Sequence, residues 1–263
     1  FSGTPIIKQI LNYIEPSDIS RTAKKYSSDR YYKKFKTFDH LVTMIYATLS
    51  GVSSLRELST VMLACEGRIS HLNIKNFPKR STLSDANSKR TSEVFGAIYG
   101  TLHKRYASFL SDSSSLKCPV NNLKIVDSTT ISLFSDILKG VGRNAINGQR
   151  KGGIKMHTMI NAMEDVPCLV RFTSAAIHDH TFLKELNLEK GSFVVFDKAY
   201  NDYNQYLEWT MNEIYFVTRQ KYNAVYKTIL EFHLDDKTSD AVLKDELISV
   251  KKYGKSIELR RIA

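Results

Sequence analysis

Residues 123–127 read Leu123-Lys124-Ile125-Val126-Asp127, and residues 193–197 read Phe193-Val194-Val195-Phe196-Asp197. Each is a short apolar run typical of a buried strand, and each ends in an aspartate. A carboxylate in such surroundings is costly unless a cation pairs with it or a metal binds it. If the two strands are neighbours in one sheet, we expect Asp127 and Asp197 to meet over one divalent cation. Either aspartate taken alone is more typical of a turn residue or a helix N-cap than of a catalytic acid, and only the pair favours the metal site.

The segment between these runs predicts the rest of a mixed sheet. Residues 153–160 and 168–173 alternate as strands do and are joined by a polar stretch, which indicates a hairpin. A helix is expected from about Thr181 to Leu188, before the strand that ends at Asp197. The predicted order is strand, strand, strand, helix, strand, with acids on the first and fourth strands.

Several blocks of this sequence resemble, in order, those of bacterial DDE transposases of the insertion-sequence-four type. The blocks are residues 126–131, 151–157, 196–203 and 215–219, with residues 80–87 upstream. The resemblance implies an α/β fold: a ribonuclease-H-like mixed sheet preceded by an all-helical domain and followed by the start of a β-rich insertion. It also implies metal-dependent cutting and joining of transposon-end DNA.

The sequence departs from that family at three points. Lys198 and Ala199 stand where the family has Arg-Gly after the second acid, and Asn161 stands where the second strand often ends in Asp. The family's third acid, a Glu within a helical Tyr-Arg-Glu-Lys pattern, has no match. We therefore expect a fragment whose third acid lies beyond residue 263 and which is inactive without it. Three glutamates are the alternatives within the chain: Glu231, Glu246 and Glu258.

The same resemblance assigns roles to the site residues. Asp127 is the expected bridging ligand, and Asp197 the ligand of one ion, in a two-metal site that takes Mg²⁺ or Mn²⁺. Magnesium prefers oxygen ligands, which fits aspartate. The residues expected to contact DNA near the scissile bond are Lys155, His157, Lys198, Tyr200, Arg219 and Lys221. A homodimer assembled on double-stranded DNA, both transposon ends and target, is the implied complex.

Charge supports a nucleic-acid partner. The net charge is +11, and residues 1–121 hold 18 basic and 9 acidic side chains, so this part carries +9 of the total. A basic domain attracts polyanions through counterion release, although a merely soluble basic surface gives the same count. Lys79 and Arg80 head a short predicted helix that is compatible with helix-turn-helix DNA binding or with a plain helical bundle.

The first 110 or so residues are predicted to be helical. Helices are expected at residues 6–14, 41–49, 54–65 and 93–109, the third opened by a capping box at Ser54 and Glu57. Lysines and tyrosines between residues 24 and 36 suggest either a grip on nucleic acid or a solvated linker. The predicted domains are residues 1–115, helical and DNA-binding, and residues 120–263, the incomplete catalytic core with its β-rich insertion from about residue 222.

Other patterns carry less information. The sequence His178-Asp179-His180 indicates a loop or helix cap more than a metal cluster, because no third histidine stands at a zinc-site spacing. Glycine-rich basic stretches at residues 140–143 and 148–153 suit either a phosphate contact or a flexible link. Three cysteines without a CxxC pair suggest a reducing compartment, and no apolar stretch approaches the ~20 residues of a membrane span. We expect a bacterial cytoplasmic, nucleoid-associated protein; the alternative function is that of a non-catalytic transposase relic or DNA-binding regulator.

Overall fold

The computed structural model describes residues 4–65, 67–74, 77–113, 122–132, 153–234, 241–252 and 254–263. Within it the chain divides into two units, residues 1–108 and 109–263. The glycine-rich stretches before Gly153 lie outside the described residues, as do part of the predicted domain boundary, at residues 114–115, and Cys118. No helix in the described ranges is long and apolar enough to cross a membrane.

Helices make up the first unit, as predicted. They are α1 (Ile6–Leu11), α2 (Pro16–Lys25), α3 (Thr37–Leu49), α4 (Leu55–Ala64), a 3₁₀ helix (Ser70–Leu72), α5 (Arg80–Lys89) and α6 (Ser92–Ser113). Apolar side chains of α1, α3, α4, the 3₁₀ helix and α5 bury a core that includes Val42, Leu58, Met62, Leu72 and Leu83. Ile19 of α2 packs with Val94 and Ile98 of α6 in a second cluster.

The predicted cap of α4 forms with one change. The backbone N–H of Glu57 donates to Ser54 Oγ at 3.2 Å, which satisfies one of the free amides at the start of the helix. The carboxylate of Glu57 returns to Ser53, whose backbone N–H and hydroxyl donate to it at 3.1 and 2.9 Å. The two capping bonds therefore involve two adjacent serines.

Helix α2 corrects the prediction for the lysine-rich segment. Lys24 and Lys25 form the last turn of a helix that begins at Pro16, and so do not belong to a linker. Proline suits the first helical position because a backbone N–H there would have no acceptor within the helix, so the missing N–H costs nothing. Asp18 in this helix pairs with Arg21 and with Arg105 of α6.

A five-stranded mixed sheet organises the second unit. Its strands are β1 (Leu123–Ser132), β2 (Gly153–Asn161), β3 (Val166–Ser174), β4 (Phe193–Phe196) and β5 (Tyr215–Thr218), in the order β3-β2-β1-β4-β5. Strands β1, β2 and β3 are antiparallel neighbours, whereas β4 and β5 run parallel to β1. Helix α7 (Tyr203–Met211) connects the last two strands. The predicted α/β fold with a ribonuclease-H-like mixed sheet is confirmed.

Two predicted boundaries in this sheet were wrong. Strand β1 does not end at Asp127 but continues to Ser132, because β2 pairs with it along its whole length, to the pair Ser132–Gly153. The helix predicted from Thr181 to Leu188 is a 3₁₀ helix over Asp179–Glu185. Its residues Phe182 and Leu183 are buried against the sheet's core.

A second, antiparallel sheet follows and confirms the predicted β-rich segment. It contains β6 (Lys227–Glu231), β7 (Asp245–Lys252) and β8 (Lys255–Ile262), in that order. Ile248, Val250 and Ile257 from this sheet share one buried apolar cluster with Val126 and Phe196 of the first sheet. The two sheets are therefore packed through a common core.

Candidate active site

Asp127 and Asp197 occupy equivalent places on neighbouring parallel strands. Val126 and Phe196 are the last residues paired between β1 and β4; Asp127 is the next residue within β1, and Asp197 is the first residue after β4. Adjacent strands lie about 4.8 Å apart, so the two acids stand side by side where β4 ends. The sequence predicted that the two aspartates lie close together only if their strands were neighbours, and the structure shows that the strands are neighbours.

Both carboxylates are accessible and oriented by backbone amides. Asp127 is exposed, and its Oδ1 accepts a hydrogen bond from the N–H of Ser128 at 2.7 Å. The side chain of Asp197 is 42% exposed. A hydrogen bond from the backbone of Lys198, followed by the guanidinium of Arg219, holds the pKa of Asp197 below its usual range. Asp197 is therefore a charged acceptor at neutral pH.

The donor chemistry of this pair fits a hard divalent cation. Carboxylate oxygens suit Mg²⁺, which is commonly held by one or two carboxylates and keeps several waters. Among the described residues, no group of three His, Cys, Asp or Glu side chains is placed to hold a metal. The glutamates considered as third ligands lie in the second sheet, where Glu246 is buried and bonded to Arg261 at 2.6 Å, and Glu231 contacts Lys244. On the described part of the chain, the candidate oxygen donors at this place are thus the two carboxylates of Asp127 and Asp197.

Three of the residues expected to contact DNA are in the interior instead. Lys155, His157 and Tyr200 are only 2%, 0% and 1% exposed. The alternation of β2 correctly put Lys155 and His157 on one face, but the 3₁₀ helix Asp179–Glu185 packs on that face: Phe182 stacks on the His157 ring at 4.9 Å. The prediction that these three side chains contact DNA is therefore corrected, because they offer almost no surface to a ligand.

A buried ion pair explains how Lys155 is accommodated. Its Nζ lies 2.8 Å from Oδ1 of Asp179 and donates to the carbonyl of Ile177 at 3.2 Å. The hydroxyl of Ser128 donates to the same Asp179 oxygen at 3.2 Å. Sequence reasoning considered Asp179 only within the His178-Asp179-His180 pattern and not as the partner of Lys155. Alternation put Lys155 and His157 on the face of β2 opposite to Ile154 and Met156, so no local signal showed that this lysine is buried and needs a carboxylate partner.

His157 extends this polar network toward Tyr200. Its Nδ1 lies 3.1 Å from the Tyr200 hydroxyl, and its Nε2 lies 2.9 Å from Thr173 Oγ1. Burial lowers the pKa of His157, so its imidazole is neutral at pH 7. Burial also raises the pKa of Tyr200 to about 12, so its phenol keeps its proton.

The His178-Asp179-His180 sequence is not a metal cluster. The two imidazole rings stack on each other with centroids 5.5 Å apart, while Asp179 is buried against Lys155. His178 stands at the cap position of the 3₁₀ helix. The loop or cap interpretation is therefore the better one for the histidines.

The remaining residues expected to contact DNA are exposed. Lys198, Arg219 and Lys221 follow β4 and β5 in the second unit, and Arg219 pairs with Asp197 at 3.1 Å. Lys79 and Arg80 stand at the start of α5 in the first unit. These five side chains are accessible to a ligand, and their contacts with DNA phosphates stay a prediction.

The chain matches two protein-family models. The model described as "Transposase DDE domain" matches residues 120–260, and the model described as "Domain of unknown function (DUF4372)" matches residues 2–75. The chain is similar to the "Putative transposase y4zB" of Sinorhizobium fredii, with 28% identity over 190 residues that cover 70% of this chain and 51% of that protein. It thus spans about half the length of the curated relative it matches. Among solved structures it is similar to a cryo-EM structure of the piggyBac transposase synaptic complex with hairpin DNA, at a TM-score of 0.38 and 10% identity, over 95% of this chain and 59% of that one.

Proposed function

This chain belongs to the family of proteins with a transposase DDE domain, and from that membership we propose that it cleaves and joins DNA at the ends of an insertion sequence of the insertion-sequence-four type. The observation that carries the proposal is the side-by-side position of Asp127 and Asp197 after the paired residues Val126 and Phe196. A pair of accessible carboxylates on two neighbouring strands suits phosphodiester chemistry that uses divalent metal ions.

Asp127 and Asp197 would hold Mg²⁺ or Mn²⁺. When bound, such ions activate the attacking water or 3′-hydroxyl and stabilise the leaving oxygen. The amide of Ser128 orients the Asp127 carboxylate, and the amide of Lys198 keeps Asp197 ionised. Because a third carboxylate is part of the proposal and none joins this pair on the described residues, we expect metal binding by this chain to be weak.

Basic side chains near the two acids would hold the DNA backbone. Lys198 directly follows Asp197, and Arg219 and Lys221 follow β5. All three are exposed on the part of the chain where a phosphodiester would approach the carboxylate pair. Arginine forms bidentate contacts with phosphate, whereas lysine acts as a point charge. In the helical domain, Lys79 and Arg80 would make further phosphate contacts, and we propose a homodimer as the DNA-bound form.

The metal site is tested by isothermal titration of Mn²⁺ into the wild-type chain and into Asp127→Asn and Asp197→Asn variants. We expect both substitutions to abolish or strongly weaken binding, because each removes one of two charged ligands. Glu189→Gln is the matched control, since Glu189 is an exposed acid ahead of β4, at the end of that strand opposite to Asp197. Unchanged Mn²⁺ binding in either aspartate variant would overturn the assignment.

The DNA contacts are tested by the salt dependence of binding to a random-sequence duplex. Each phosphate contact that is lost reduces the slope of log affinity against log salt by about 1. We expect Lys79→Gln and Arg80→Gln each to reduce the slope, whereas Lys251→Gln, an exposed cation on β7, serves as the control. Slopes equal to wild type in both variants would remove the helical domain from the proposed DNA contacts.

A chain that binds DNA and no metal would favour the alternative function, a non-catalytic regulator.

A further inference from the structure

Asp179 is a buried carboxylate that no step of the proposed reaction uses. It is 8% exposed, and its partner Lys155 is 2% exposed. A buried ion pair contributes little net stability compared with well-packed apolar side chains, because both charges must leave water. Its retention here, with Asp179 also accepting from the hydroxyl of Ser128, is therefore better explained by the geometry that it fixes.

The contact with Ser128 connects Asp179 to the first aspartate of the site. Side chains alternate across a strand, so Asp127 and Ser128 face opposite sides of β1. The Ser128 hydroxyl is held in the interior at 3.2 Å from Asp179, while the amide of the same residue donates to Asp127 Oδ1 at 2.7 Å. One residue thus joins the buried carboxylate to the exposed one.

Tyr200 connects the same network to the second aspartate. Its backbone N–H donates to the carbonyl of Asp197 at 3.0 Å and closes the short turn after β4. Its buried phenol is hydrogen-bonded to His157 Nδ1 at 3.1 Å, and the same ring nitrogen lies 3.8 Å from Oδ1 of Asp179. The turn that follows Asp197 is therefore connected, through Tyr200 and His157, to the carboxylate that accepts from Ser128.

We propose that Asp179, kept in place by Lys155, is a positioning residue for metal binding. It holds Ser128 and, through Ser128 and Tyr200, fixes the carboxylates of Asp127 and Asp197 relative to each other. The inference rests on the proposed function, since it gives Asp179 a role toward the same metal site. Outer partners of metal ligands act in this way when they restrict the orientation of the ligands.

Two variants of the full chain test the proposal. Ser128→Ala removes the hydroxyl that donates to Asp179, and so disconnects Asp179 from the residue whose amide donates to Asp127. It leaves the ion pair between Asp179 and Lys155 intact. The double variant Asp179→Leu/Lys155→Met removes both charges together, which avoids leaving one of them unpaired in the interior. Ser249→Ala is the matched control, because its hydroxyl makes a comparable bond, 2.7 Å to Ser256, within the second sheet.

The readouts are the Mn²⁺ dissociation constant by isothermal titration and the melting temperature of each variant. We expect Ser128→Ala and the double variant to bind Mn²⁺ about tenfold more weakly. Their melting temperatures should stay close to that of wild type, and Ser249→Ala should bind as wild type does. Weaker Mn²⁺ binding without loss of folding is a result that a purely structural role of the network does not produce.

The outcomes separate this inference from the proposed function. If Asp127→Asn and Asp197→Asn abolish Mn²⁺ binding while Ser128→Ala and the double variant bind normally, the positioning role is wrong and the metal site stands. If the double variant both melts at a lower temperature and binds Mn²⁺ more weakly, its result does not separate the two roles, and Ser128→Ala becomes the deciding variant. An Mn²⁺ affinity of Ser128→Ala equal to that of wild type then overturns the inference. If the wild type binds no Mn²⁺, or the aspartate variants bind as it does, the proposed metal site fails and the inference fails with it.

Discussion

Arg219 donates two hydrogen bonds to one oxygen of Asp197, from Nε at 3.2 Å and from Nη2 at 3.1 Å to Oδ1. Arg219 follows β5 and Asp197 follows β4, so the contact crosses between neighbouring parallel strands. It places a positive charge on the carboxylate that the proposed function assigns to a metal ion. A divalent cation bound there as proposed would therefore compete with the guanidinium for the same acceptor.

Removing that positive charge should favour the metal. We expect Arg219→Gln to bind Mn²⁺ about two- to fivefold more tightly at low ionic strength, with a smaller gain at high salt because both groups are exposed. The pKa of Asp197 should rise toward its usual range but stay below it, since the backbone bond from Lys198 is the larger cause of its lowering. Isothermal titration at two salt concentrations measures the effect.

Lys221→Gln is the control for Arg219→Gln, because it removes an exposed cation that is two residues further along the chain. We expect it to change Mn²⁺ affinity less than Arg219→Gln does. Weaker Mn²⁺ binding by Arg219→Gln would contradict the competition and would mean that the guanidinium orients Asp197 for the metal.

Acidification should destabilise the chain through His157. Burial lowers the pKa of this imidazole in the folded state, while the unfolded value is about 6.5. The unfolded chain then binds more protons than the folded chain, so the stabilisation is present above pH 6.5 and is lost as pH falls through the folded pKa. The loss is at most about 1.4 kcal/mol per pH unit.

The free energy of unfolding in urea at pH 7.5, 6.5 and 5.5 measures this dependence. His157→Gln keeps polar atoms near Tyr200 and Thr173 but cannot titrate, so its stability should fall less steeply between pH 6.5 and 5.5. His40, whose pKa burial also lowers, contributes equally to both proteins. Parallel curves for the variant and the wild type would show that His157 is protonated in the folded chain.

The succession of strands along the chain could be predicted because the pattern of each strand is local, whereas their neighbouring positions in the five-stranded sheet were only assumed. Two apolar runs that end in Asp127 and Asp197 and an intervening hairpin define the sheet, and the structure shows the acids on adjacent strands. The burial of Lys155 and His157 could not be predicted in the same way. Alternation tells which side chains share a face, but not that Phe182, 25 residues beyond His157, covers that face.

Helix α2 was missed for a different physical reason. Its sequence from Pro16 to Lys25 is polar and has only two apolar side chains, Ile19 and Ala23; they stand four residues apart, as on one helix face, but two residues are too few to indicate a helix. In the structure, Ile19 and Ala23 are buried, Asp18 pairs with Arg105 of α6, and Pro16 starts the helix. The helix thus depends on tertiary contacts, which a local pattern does not contain.

Gly153 should not tolerate a side chain. A Cβ at this position would lie 2.9 Å from the Cβ of Ala175, and both atoms belong to short side chains that cannot move aside. We expect Gly153→Ala to lower the free energy of unfolding by about 1–3 kcal/mol through overpacking. Gly96→Ala is the control, since that position on α6 is open and alanine favours helix by up to about 1 kcal/mol. Equal stability of wild type and Gly153→Ala would show that β2 shifts to relieve the contact.

Arg90 should be required for the fold of the helical unit. The residue is only 6% exposed. Its guanidinium donates hydrogen bonds to the carbonyl oxygens of Ser28 and Phe35 and lies 4.1 Å from the ring centre of Tyr32. Arg90→Met keeps most of the apolar stem but leaves two buried carbonyls without donors, so we expect a loss of about 2–4 kcal/mol in the free energy of unfolding. The neighbouring Lys89→Met removes only an exposed ion pair and should cost less than about 1 kcal/mol. Far-UV circular dichroism in urea compares the two variants, and a similar small loss in both would mean that water replaces the guanidinium at these carbonyls.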